Sequence, residues 1–228
     1  MNIAHNPQQT KLPALPERWE LLFAAVVSDA LDEFGIANQV MEPTIRPLDD
    51  DLMLCARART GVYMEVPYVT EGENPYELEI KLIDDLCPGE VAVFACGGSK
   101  RIAPWGGLLS TATKSRGASG CVTDGFVRDI KEIRRLKLPV FAGGIAPLDS
   151  KGRGQIMTID VPVICAGVRV CPGDLVIGDA DGLVVIPQQH EAKVLEKAFE
   201  KIDDENRSIK ELRAGGYLRD VYAKYGVL

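Results

Sequence analysis

The sequence predicts a single mixed α/β domain. Short apolar segments that fit strands recur through the middle of the 228-residue chain, and amphipathic segments that fit helices lie at both ends. No linker-like segment separates them. A chain of this length is either one large domain or two small ones. Strands and helices mixed in this way favour one domain over residues 17–228, after a flexible lead-in of residues 1–16.

Composition limits the classes of partner. The chain is 46% hydrophobic and 26% charged, as in ordinary soluble globular proteins. Its formal net charge of −7 and the lack of a Lys/Arg cluster argue against nucleic acid as a direct partner. The apolar run at residues 21–27 is too short to span a bilayer, and the polar N-terminus does not resemble a secretory signal. We therefore expect a cytoplasmic protein without a membrane partner.

Cysteine and histidine usage limits the chemistry. The six cysteines include no CxxC pair, so we expect free thiols, with Cys96, Cys121 and Cys165 as small core residues on strands. Only two histidines, His5 and His190, are present, which nearly excludes a histidine triad or a histidine-rich zinc site. Acid–base or metal chemistry must then depend on carboxylates, lysines, the backbone and water.

The first half of the chain contains two predicted helices around two strands. Helical periodicity predicts a helix over residues 17–34, with Gly35 as its C-cap and Ser28 as the cap of a second helix start at Asp29. Strands are predicted at residues 52–55 and 61–66. A second helix is predicted over residues 76–86, with these apolar side chains facing inward: Leu78, Ile80 and Ile83.

The second half alternates strands and helices. Pro162 indicates an edge or a break within one predicted strand. The turn at residues 179–182 lacks the ligand spacing of an EF-hand loop, which favours a hairpin over calcium binding. Gly215-Gly216 ends a long charged C-terminal helix. Strands are predicted at residues 91–96, 140–142, 156–164, 175–177 and 183–186, helices at 105–117 and 188–214, and a loop at 143–154.

The segment GASGCVTDGFVRD, residues 117–129, is the first candidate site. Residues 121–123 fit a short strand, Asp124-Gly125 a turn, and the residues after Asp129 a short helix that Pro139 stops. Arg128 and Asp129 then lie on a strand-to-helix loop, where one could bind a ligand anion and the other a metal ion. The structural alternative is a helix N-terminal carboxylate beside a surface arginine.

A second candidate site is the phrase WGGLL at residues 105–109. Glycines in the first turn of a helix leave backbone N–H groups open to a bound anion. The alternative is a tight loop that only packs closely. The chain lacks GxGxxG, so a dinucleotide-binding Rossmann fold is not supported.

Together these segments resemble the family of the regulator of ribonuclease activity A and 4-hydroxy-4-methyl-2-oxoglutarate aldolase. The resemblance runs over nearly the whole chain from about residue 28, and its specificity lies in the order and spacing of many short phrases. The phrases are Ser28-Asp29-Ala30-Leu31, Ala58-Arg59-Thr60, Pro88-Gly89-Glu90-Val91, WGGLL at 105–109, Gly117, Gly120, Asp124-Gly125, Val127-Arg128-Asp129, Pro172-Gly173-Asp174, Asp181-Gly182 and Tyr225-Gly226-Val227-Leu228.

The resemblance implies a three-layer β/β/α swivelling-type single domain that assembles as a homotrimer or a hexamer, with the ligand between subunits. By carry-over, Asp129 is the direct protein ligand of Mg²⁺ or Mn²⁺, and Arg128 binds the carboxylate of a 2-oxo acid substrate. The backbone of Gly106, Gly107, Leu108 and Leu109 lines that substrate.

These implied roles agree with the chemistry of the residues. Mg²⁺ commonly keeps several waters and takes one or two carboxylates, so Asp129 alone is an acceptable protein ligand. A metal that chelates the keto and carboxylate oxygens of a 2-oxo acid stabilises the enolate formed when a C–C bond breaks. Arg128 suits the carboxylate because its guanidinium is planar and permanently charged.

One position departs from the family pattern. Characterised aldolases of the family carry an acidic residue, thought to help hold a catalytic water, where this chain has Gly107. That difference puts the specific aldol substrate in question. Glu205 corresponds to a second acidic residue that a neighbouring subunit contributes, or it is a solvated helix charge.

The leading hypothesis is a divalent-metal lyase that acts on a 2-oxo acid, by retro-aldol cleavage or by decarboxylation to a pyruvate-type enolate. The first alternative is a non-enzymatic protein-binding regulator like the ribonuclease regulators. The second is a lyase or isomerase of sugar-acid breakdown with a larger substrate.

Overall fold

The described part of the computed structural model, residues 12–226, is built on an eight-stranded mixed sheet and a separate two-stranded hairpin. The strands are β1 (Arg46–Pro47), β2 (Leu54–Glu65), β3 (Glu90–Ala95), β4 (Gly120–Val127), β5 (Val140–Ile145), β6 (Gly154–Ile159), β7 (Val163–Cys165), β8 (Val168–Val170), β9 (Leu175–Asp179) and β10 (Gly182–Ile186). The helices are α1 (Ala24–Glu33), α2 (Glu77–Asp84), α3 (Gly107–Ser115), α4 (Ile130–Leu136), α5 (Glu191–Arg213) and α6 (Leu218–Tyr225), with 3₁₀ turns at Trp19–Leu21 and Gln188–His190.

The main sheet has the order β1-β5-β4-β3-β2-β9-β10, and β6 pairs with β2 beside this path. Strands β2, β3, β4 and β5 are mutually parallel neighbours, and the remaining pairs are antiparallel. Parallel neighbours need crossover connections, and helices α2, α3 and α4 lie in those connections. Because the carboxyl ends of these strands share one edge, the loops that follow them come together.

Strand β3 shows how the layers form. All of its residues are buried, and successive side chains point to opposite faces of the sheet. Val91 and Val93 pack with the β7–β8 hairpin, whereas Ala92 and Phe94 pack with helices α2 and α4. Helices α1 and α5 cover β9 and β10 through a further apolar cluster. The result is the predicted β/β/α single domain with a long C-terminal helix.

The predicted strands at residues 52–55 and 61–66 are one strand, β2, and the prediction of two was wrong. The intervening Arg57 and Arg59 are buried within the strand. Both guanidinium groups are paired with carboxylates more than 30 residues away in the chain, which a local pattern does not reveal. Similarly, Asp124-Gly125 is not a turn but lies inside β4, at a shift in its register with β5.

The predicted first helix, residues 17–34, is broken. A 3₁₀ turn ends at Leu21, and α1 begins at Ala24, whose N–H donates to Asp179 Oδ2 at 2.7 Å. Helix α1 then runs without interruption past Ser28, so the predicted second start there was wrong. Phe34 is the C-cap, and Gly35 directly after it ends the helix, with φ 67° and its N–H bonded to the Asp32 carbonyl.

The predicted second helix is present as α2, but one inward side chain was wrong. Ile80 is 45% exposed, while Glu79 is buried. Glu79 lies three and four residues before the fully buried Leu82 and Ile83, and therefore on their face of the helix.

Several other predictions are confirmed with small changes in boundaries. Helices α3, α4 and α5 and the β9–β10 hairpin match the predicted segments. The strand predicted over residues 156–164 is broken around Pro162 into β6 and β7. Cys96, Cys121 and Cys165 are buried. In contrast, β5 continues to Ile145, into the predicted 143–154 loop, and α6 follows α5.

Residues 1–11, including His5, and residues 227–228 lie outside the described residues, so the flexible lead-in stays a prediction for residues 1–11. In the rest of that segment, the carbonyl groups of Pro13 and Ala14 accept hydrogen bonds from Arg57 at 3.2 and 2.7 Å. Across residues 12–226, the helices are too short or too polar to be membrane spans.

Candidate functional site

Two loops at the carboxyl edge of the parallel strands form the candidate site. The loop after β4 carries Arg128 and Asp129, and the segment before α3 carries Trp105 and Gly106. Trp105 pairs with Val127 in an isolated bridge, and the Arg128 N–H donates to the Trp105 carbonyl at 3.0 Å. The two segments singled out in the sequence are therefore adjacent in space.

Asp129 is held in an uncommon conformation between two helices. Its φ of 61° and ψ of 36° place it in the left-handed region, where aspartate is one of the better tolerated residues. Its carboxylate Oδ2 accepts a hydrogen bond from the Gly107 N–H at 3.0 Å, at the start of α3. Within residues 12–226, Oδ1 has no hydrogen-bond or ion-pair partner, and the side chain is 52% exposed. The Asp129 side chain therefore does not cap α4, the helix that follows it, although the structural alternative predicted that it would. It accepts its one hydrogen bond from the start of α3 instead, and Oδ1 stays free of described partners.

The glycines at the start of α3 are needed for this close approach. A Cβ on Gly106 would lie 2.8 Å from Asp129 Oδ2, so a side chain there requires the carboxylate to move. A Cβ on Gly107 would lie 3.3 Å from Glu132 Cγ and 3.4 Å from Asp129 Cβ, which is tight but not prohibitive. The glycines therefore pack closely, and binding of an anion by the first-turn N–H groups stays a prediction. The backbone N–H groups of Leu108 and Leu109 donate to no described residue.

The Arg128 guanidinium is unusually free of partners. Its side chain is 41% exposed, and it makes no hydrogen bond with a described residue. Its nearest carboxylate oxygens are Asp129 Oδ2, 3.9 Å from Nε, and Asp149 Oδ1, 3.8 Å from Nη2. At such distances the N–H donors remain available to a ligand.

A cavity of about 300 Å³ joins these groups. All six residues predicted on this chain for the site line it: Gly106, Gly107, Leu108, Leu109, Arg128 and Asp129. The cavity is large enough for a small organic acid. The structure thus brings the two predicted segments into one concave surface.

Eight further residues line the cavity, and the three titratable ones among them, Tyr76, Glu79 and Asp149, were missed from the sequence. Two of these three form a pair beside Arg128. The Tyr76 hydroxyl donates to Asp149 Oδ2 at 2.9 Å. Burial and then this hydrogen bond raise the pKa of Tyr76 to about 12. Burial alone would raise the pKa of Asp149, but bonds from Tyr76 and from backbone N–H groups outweigh it, so that pKa is lowered. A stable carboxylate therefore faces Arg128 from the loop after β5.

The third missed residue is Glu79 on α2. It is 8% exposed and accepts a short hydrogen bond from the hydroxyl of Tyr63, itself 4% exposed. Burial raises the pKa of Glu79 to about 7, although the bond from Tyr63 opposes the rise. Its spacing from Leu82 and Ile83 was the signal that places it on the buried face.

Trp105, the first residue of the predicted WGGLL phrase, also lines the cavity and is 1% exposed. Its Nε1 is buried and has no hydrogen-bond partner among residues 12–226. A buried indole N–H normally has an acceptor, so this donor is an exception among the described residues.

Glu205 is not part of this cavity. It lies on α5, where burial raises its pKa and the charges of Lys201 and Asp29 act on it in opposite senses. A role for Glu205 in a neighbouring subunit's site stays a prediction.

No cluster of three or more potential metal-ligating side chains occurs within residues 12–226. A metal at Asp129 would therefore take most of its ligands from water and substrate.

Comparison with known proteins agrees with this fold. The profile of the RraA-like family, described as Aldolase/RraA, matches residues 24–185, which include the loops of the cavity but not Glu205. A Halalkalibacterium halodurans protein provisionally named 4-hydroxy-4-methyl-2-oxoglutarate aldolase is 39% identical over 182 residues, covering 79% of this chain and 80% of the relative.

Two crystal structures have the same fold. An uncharacterized protein from Pseudomonas syringae pv. tomato is 30% identical with a TM-score of 0.78, over 89% of this chain and 94% of that one. Streptomyces coelicolor RraAS2, described as an unusual member of the RNase ES inhibitor RraA family, is 28% identical with a TM-score of 0.74, over 86% and 98%. The chain belongs to the RraA-like family.

Proposed function

We propose that this protein is a divalent-metal-dependent lyase that breaks a C–C bond of a 2-oxo acid, by retro-aldol cleavage or by decarboxylation of an oxaloacetate-type substrate. The observation that carries this proposal is the Arg128 guanidinium, which makes only long ion pairs, next to the Asp129 carboxylate in one cavity. The similarity to a relative named as an aldolase supports the same reaction class.

Each residue has a separate task in this reaction. Arg128 binds the substrate carboxylate through its parallel N–H donors, which its weak ion pairs leave available. The free N–H groups of Leu108 and Leu109, at the positive end of α3, orient the anionic part of the substrate.

The residues fit Mg²⁺ or Mn²⁺. Asp129 offers one carboxylate oxygen without a partner in the described chain, on a side chain open to solvent, and such ions accept water for the remaining positions. When bound, the metal supplies electrophilic stabilisation of the negative charge that develops on the 2-oxo group. The Gly107 N–H fixes the orientation of the carboxylate through Oδ2 and leaves Oδ1 for the ion.

The test is oxaloacetate decarboxylation by the purified protein, followed as pyruvate formation. Because Mg²⁺ and Mn²⁺ in solution also promote this reaction, the control is the Asp129→Asn variant at the same metal concentration. We expect metal-dependent, chelator-sensitive turnover in the wild type only, with unchanged circular dichroism. Equal rates in the two proteins would contradict the proposed function.

A second candidate function is a protein-binding regulator without catalysis. The similarity to RraAS2 and the missing side chain at Gly107 favour it. If the wild type binds neither pyruvate nor metal while remaining folded, the regulator becomes the better account.

The proposed function includes a site that lies between subunits of an oligomer. Leu108, which lies in the cavity lining, is 88% exposed, and a neighbouring subunit would cover it. We therefore expect a homotrimer or a multiple of three in light scattering, and a fully active monomer would refute this arrangement.

A further inference from the structure

The proposed reaction needs a proton carrier that the predicted site lacks. Gly106 and Gly107 have no side chains, and Leu108 and Leu109 contribute only backbone groups. An arginine side chain does not exchange its proton near neutral pH, and Asp129 is assigned to the metal. A retro-aldol reaction nevertheless requires one proton to leave a hydroxyl and one to reach carbon.

Glu79 is a carboxyl group in the wall of the same cavity that no other task occupies. Helix α2 places it among the buried residues of its face, and Tyr63 on β2 donates a hydrogen bond to its Oε2. Its Oε1 accepts no hydrogen bond from a described residue, yet it is not among the fully buried atoms without a partner. That oxygen therefore remains accessible from the cavity.

The surroundings of Glu79 allow both protonation states near neutral pH. Burial disfavours the charged form, whereas the Tyr63 bond and the Arg128 charge favour it, and the pKa is about 7. A group that first accepts and then returns a proton works best when its pKa is near the working pH. The titratable and charged groups acting on Glu79 or Tyr63 are Tyr76, Cys96, Cys121, Arg128 and Asp149.

We infer that Glu79, held by Tyr63, is the acid–base residue of the cavity. This inference rests on the proposed function. In retro-aldol cleavage the Glu79 carboxylate accepts the proton of the substrate's C4 hydroxyl while the C3–C4 bond breaks. The electron pair of that bond moves to C3 and gives the pyruvate enolate, and the new carbonyl compound leaves. Protonated Glu79 then donates its proton to C3, which forms pyruvate and restores the carboxylate.

Decarboxylation needs only the second half of this sequence. The C3–C4 bond breaks, its electron pair moves to C3, and carbon dioxide leaves. Glu79 donates a proton to C3 and takes another from water. Loss of Glu79 should therefore affect proton transfer at C3 far more than the release of carbon dioxide.

The test follows that proton directly, as exchange of the pyruvate C3 hydrogens for deuterium, measured by proton NMR with Mg²⁺ or Mn²⁺ present. We expect Glu79→Gln to slow enzymatic exchange by about 10²–10⁴-fold, the usual contribution of a positioned acid–base group. The pyruvate dissociation constant should stay within about twofold, because glutamine keeps the shape of the side chain. Glu77→Gln, an exposed position on the same helix, is the matched control and should leave the exchange rate unchanged.

Tyr63→Phe provides a second variant and a pH readout. Since the Tyr63 bond lowers the pKa of Glu79, its loss should move the pH profile of exchange to higher pH. In metal-free protein, the infrared difference between wild type and Glu79→Gln should show one carboxyl group that ionises near pH 7. Tyr63→Phe should move the ionisation of this carboxyl group to higher pH. This readout does not depend on turnover.

The outcomes separate the inference from the proposed function. If the wild type decarboxylates oxaloacetate in an Asp129-dependent way but Glu79→Gln exchanges pyruvate normally, the inference is overturned and the function stands. If Glu132→Gln, beside Gly107, loses exchange instead, the carrier is Glu132 and the inference is also wrong. If the wild type shows neither reaction, the proposed function fails, and the inference fails with it.

Discussion

Three arginines of the same sheet lie in two opposite kinds of surroundings. Arg57 and Arg59, on strand β2, are buried and fully engaged with carboxylates and carbonyl groups. Arg128, at the end of β4, is half-exposed and bonded to no described residue through its guanidinium. The residue type is the same, so the difference lies in what the fold provides around it.

Arg59 shows the structural case. Its Nε and Nη2 donate to the two oxygens of Asp160 at 2.7 and 2.8 Å, and its Nη1 donates to Glu90 at 3.2 Å. Arg57 binds both oxygens of Glu191, at 2.5 and 2.8 Å. These paired forks tie β2 to a loop, to a neighbouring strand and to α5, and they leave little capacity for a ligand.

Arg128 has the surroundings expected of a ligand-binding residue. Its two ion-pair distances, 3.9 and 3.8 Å, exceed hydrogen-bond range, although two carboxylates lie nearby. Close by, Asp129 Oδ1 also has no bonding partner in the described chain. Unused donors and acceptors gathered in one cavity are what distinguish a ligand site from a structural salt bridge.

The largest expected effect is a change in stability, which compares a buried arginine with an exposed one. Arg59→Met should lower the free energy of unfolding by about 3 kcal/mol, because it leaves the buried Glu90 without its cation. Arg128→Met should change it by less than about 0.5 kcal/mol, since exposed, weakly paired charges contribute little. Urea denaturation of the two variants measures both values, and equal losses would show that Arg128 is structural.

The next effect concerns pH and the buried carboxyl of the cavity. Glu79 has an ordinary pKa of 4.5 in an unfolded chain and about 7 when folded, so it favours the folded state only while protonated. This contribution is present below pH 4.5 and is lost as the pH rises through about 7, by about 3 kcal/mol in all.

The free energy of unfolding of Glu79→Gln minus that of the wild type should therefore be larger at pH 8 than at pH 4.5. Thermal or urea unfolding across that range provides the measurement. Glu77→Gln should retain the wild-type pH dependence. A parallel pH dependence in wild type and Glu79→Gln would mean that the Glu79 carboxyl is not shifted.

A third change adds a carboxylate to the cavity rather than removing one. Gly107→Asp should raise cleavage of 4-hydroxy-4-methyl-2-oxoglutarate by about 10²-fold, the lower end for a positioned acid–base group. The lower end is expected because the new Cβ lies 3.3 Å from Glu132 Cγ, so Glu132 must shift. Gly107→Ala, which has the same Cβ without the carboxylate, is the control. An equal gain in both variants, or a wild type already efficient on this substrate, would contradict the role given to position 107.

The smallest expected effect separates charge from geometry at Arg128. Arg128→Lys keeps a cation but loses the planar fork, so pyruvate binding should weaken about tenfold while metal binding changes little. Calorimetric titration with pyruvate and then with Mn²⁺ measures the two affinities. Equal losses of both would indicate that Arg128 supports the loop instead of contacting the substrate.

The sequence was informative where local pattern decides structure. Helix α3 and the β9–β10 hairpin follow from local periodicity and from turn glycines, and Arg128-Asp129 was found because it follows a strand and precedes a helix. The pattern misled where distant partners decide. Two strands were predicted on either side of Arg57 and Arg59, yet Glu191 and Asp160 pair with these arginines within one continuous strand.

The same reason explains the missed cavity residues. The spacing of Glu79 from Leu82 and Ile83 indicates a buried face, but its hydrogen-bond partner Tyr63 lies 16 residues earlier on another element. Asp149 lies in a loop whose partners, Tyr76 and Arg128, come from two other segments of the chain. Such contacts depend on how β2, β4 and β5 are arranged in the sheet, which the order of residues in the chain does not reveal.

The most direct test of the central claim is a Mn²⁺ titration of wild type and Asp129→Asn, followed by electron paramagnetic resonance with and without pyruvate. The claim predicts one Mn²⁺ bound per wild-type chain, tighter binding when pyruvate is present, and loss of both in Asp129→Asn while the variant stays folded. Unchanged Mn²⁺ binding in Asp129→Asn would contradict the claim that the Arg128–Asp129 loop is a metal and 2-oxo acid site.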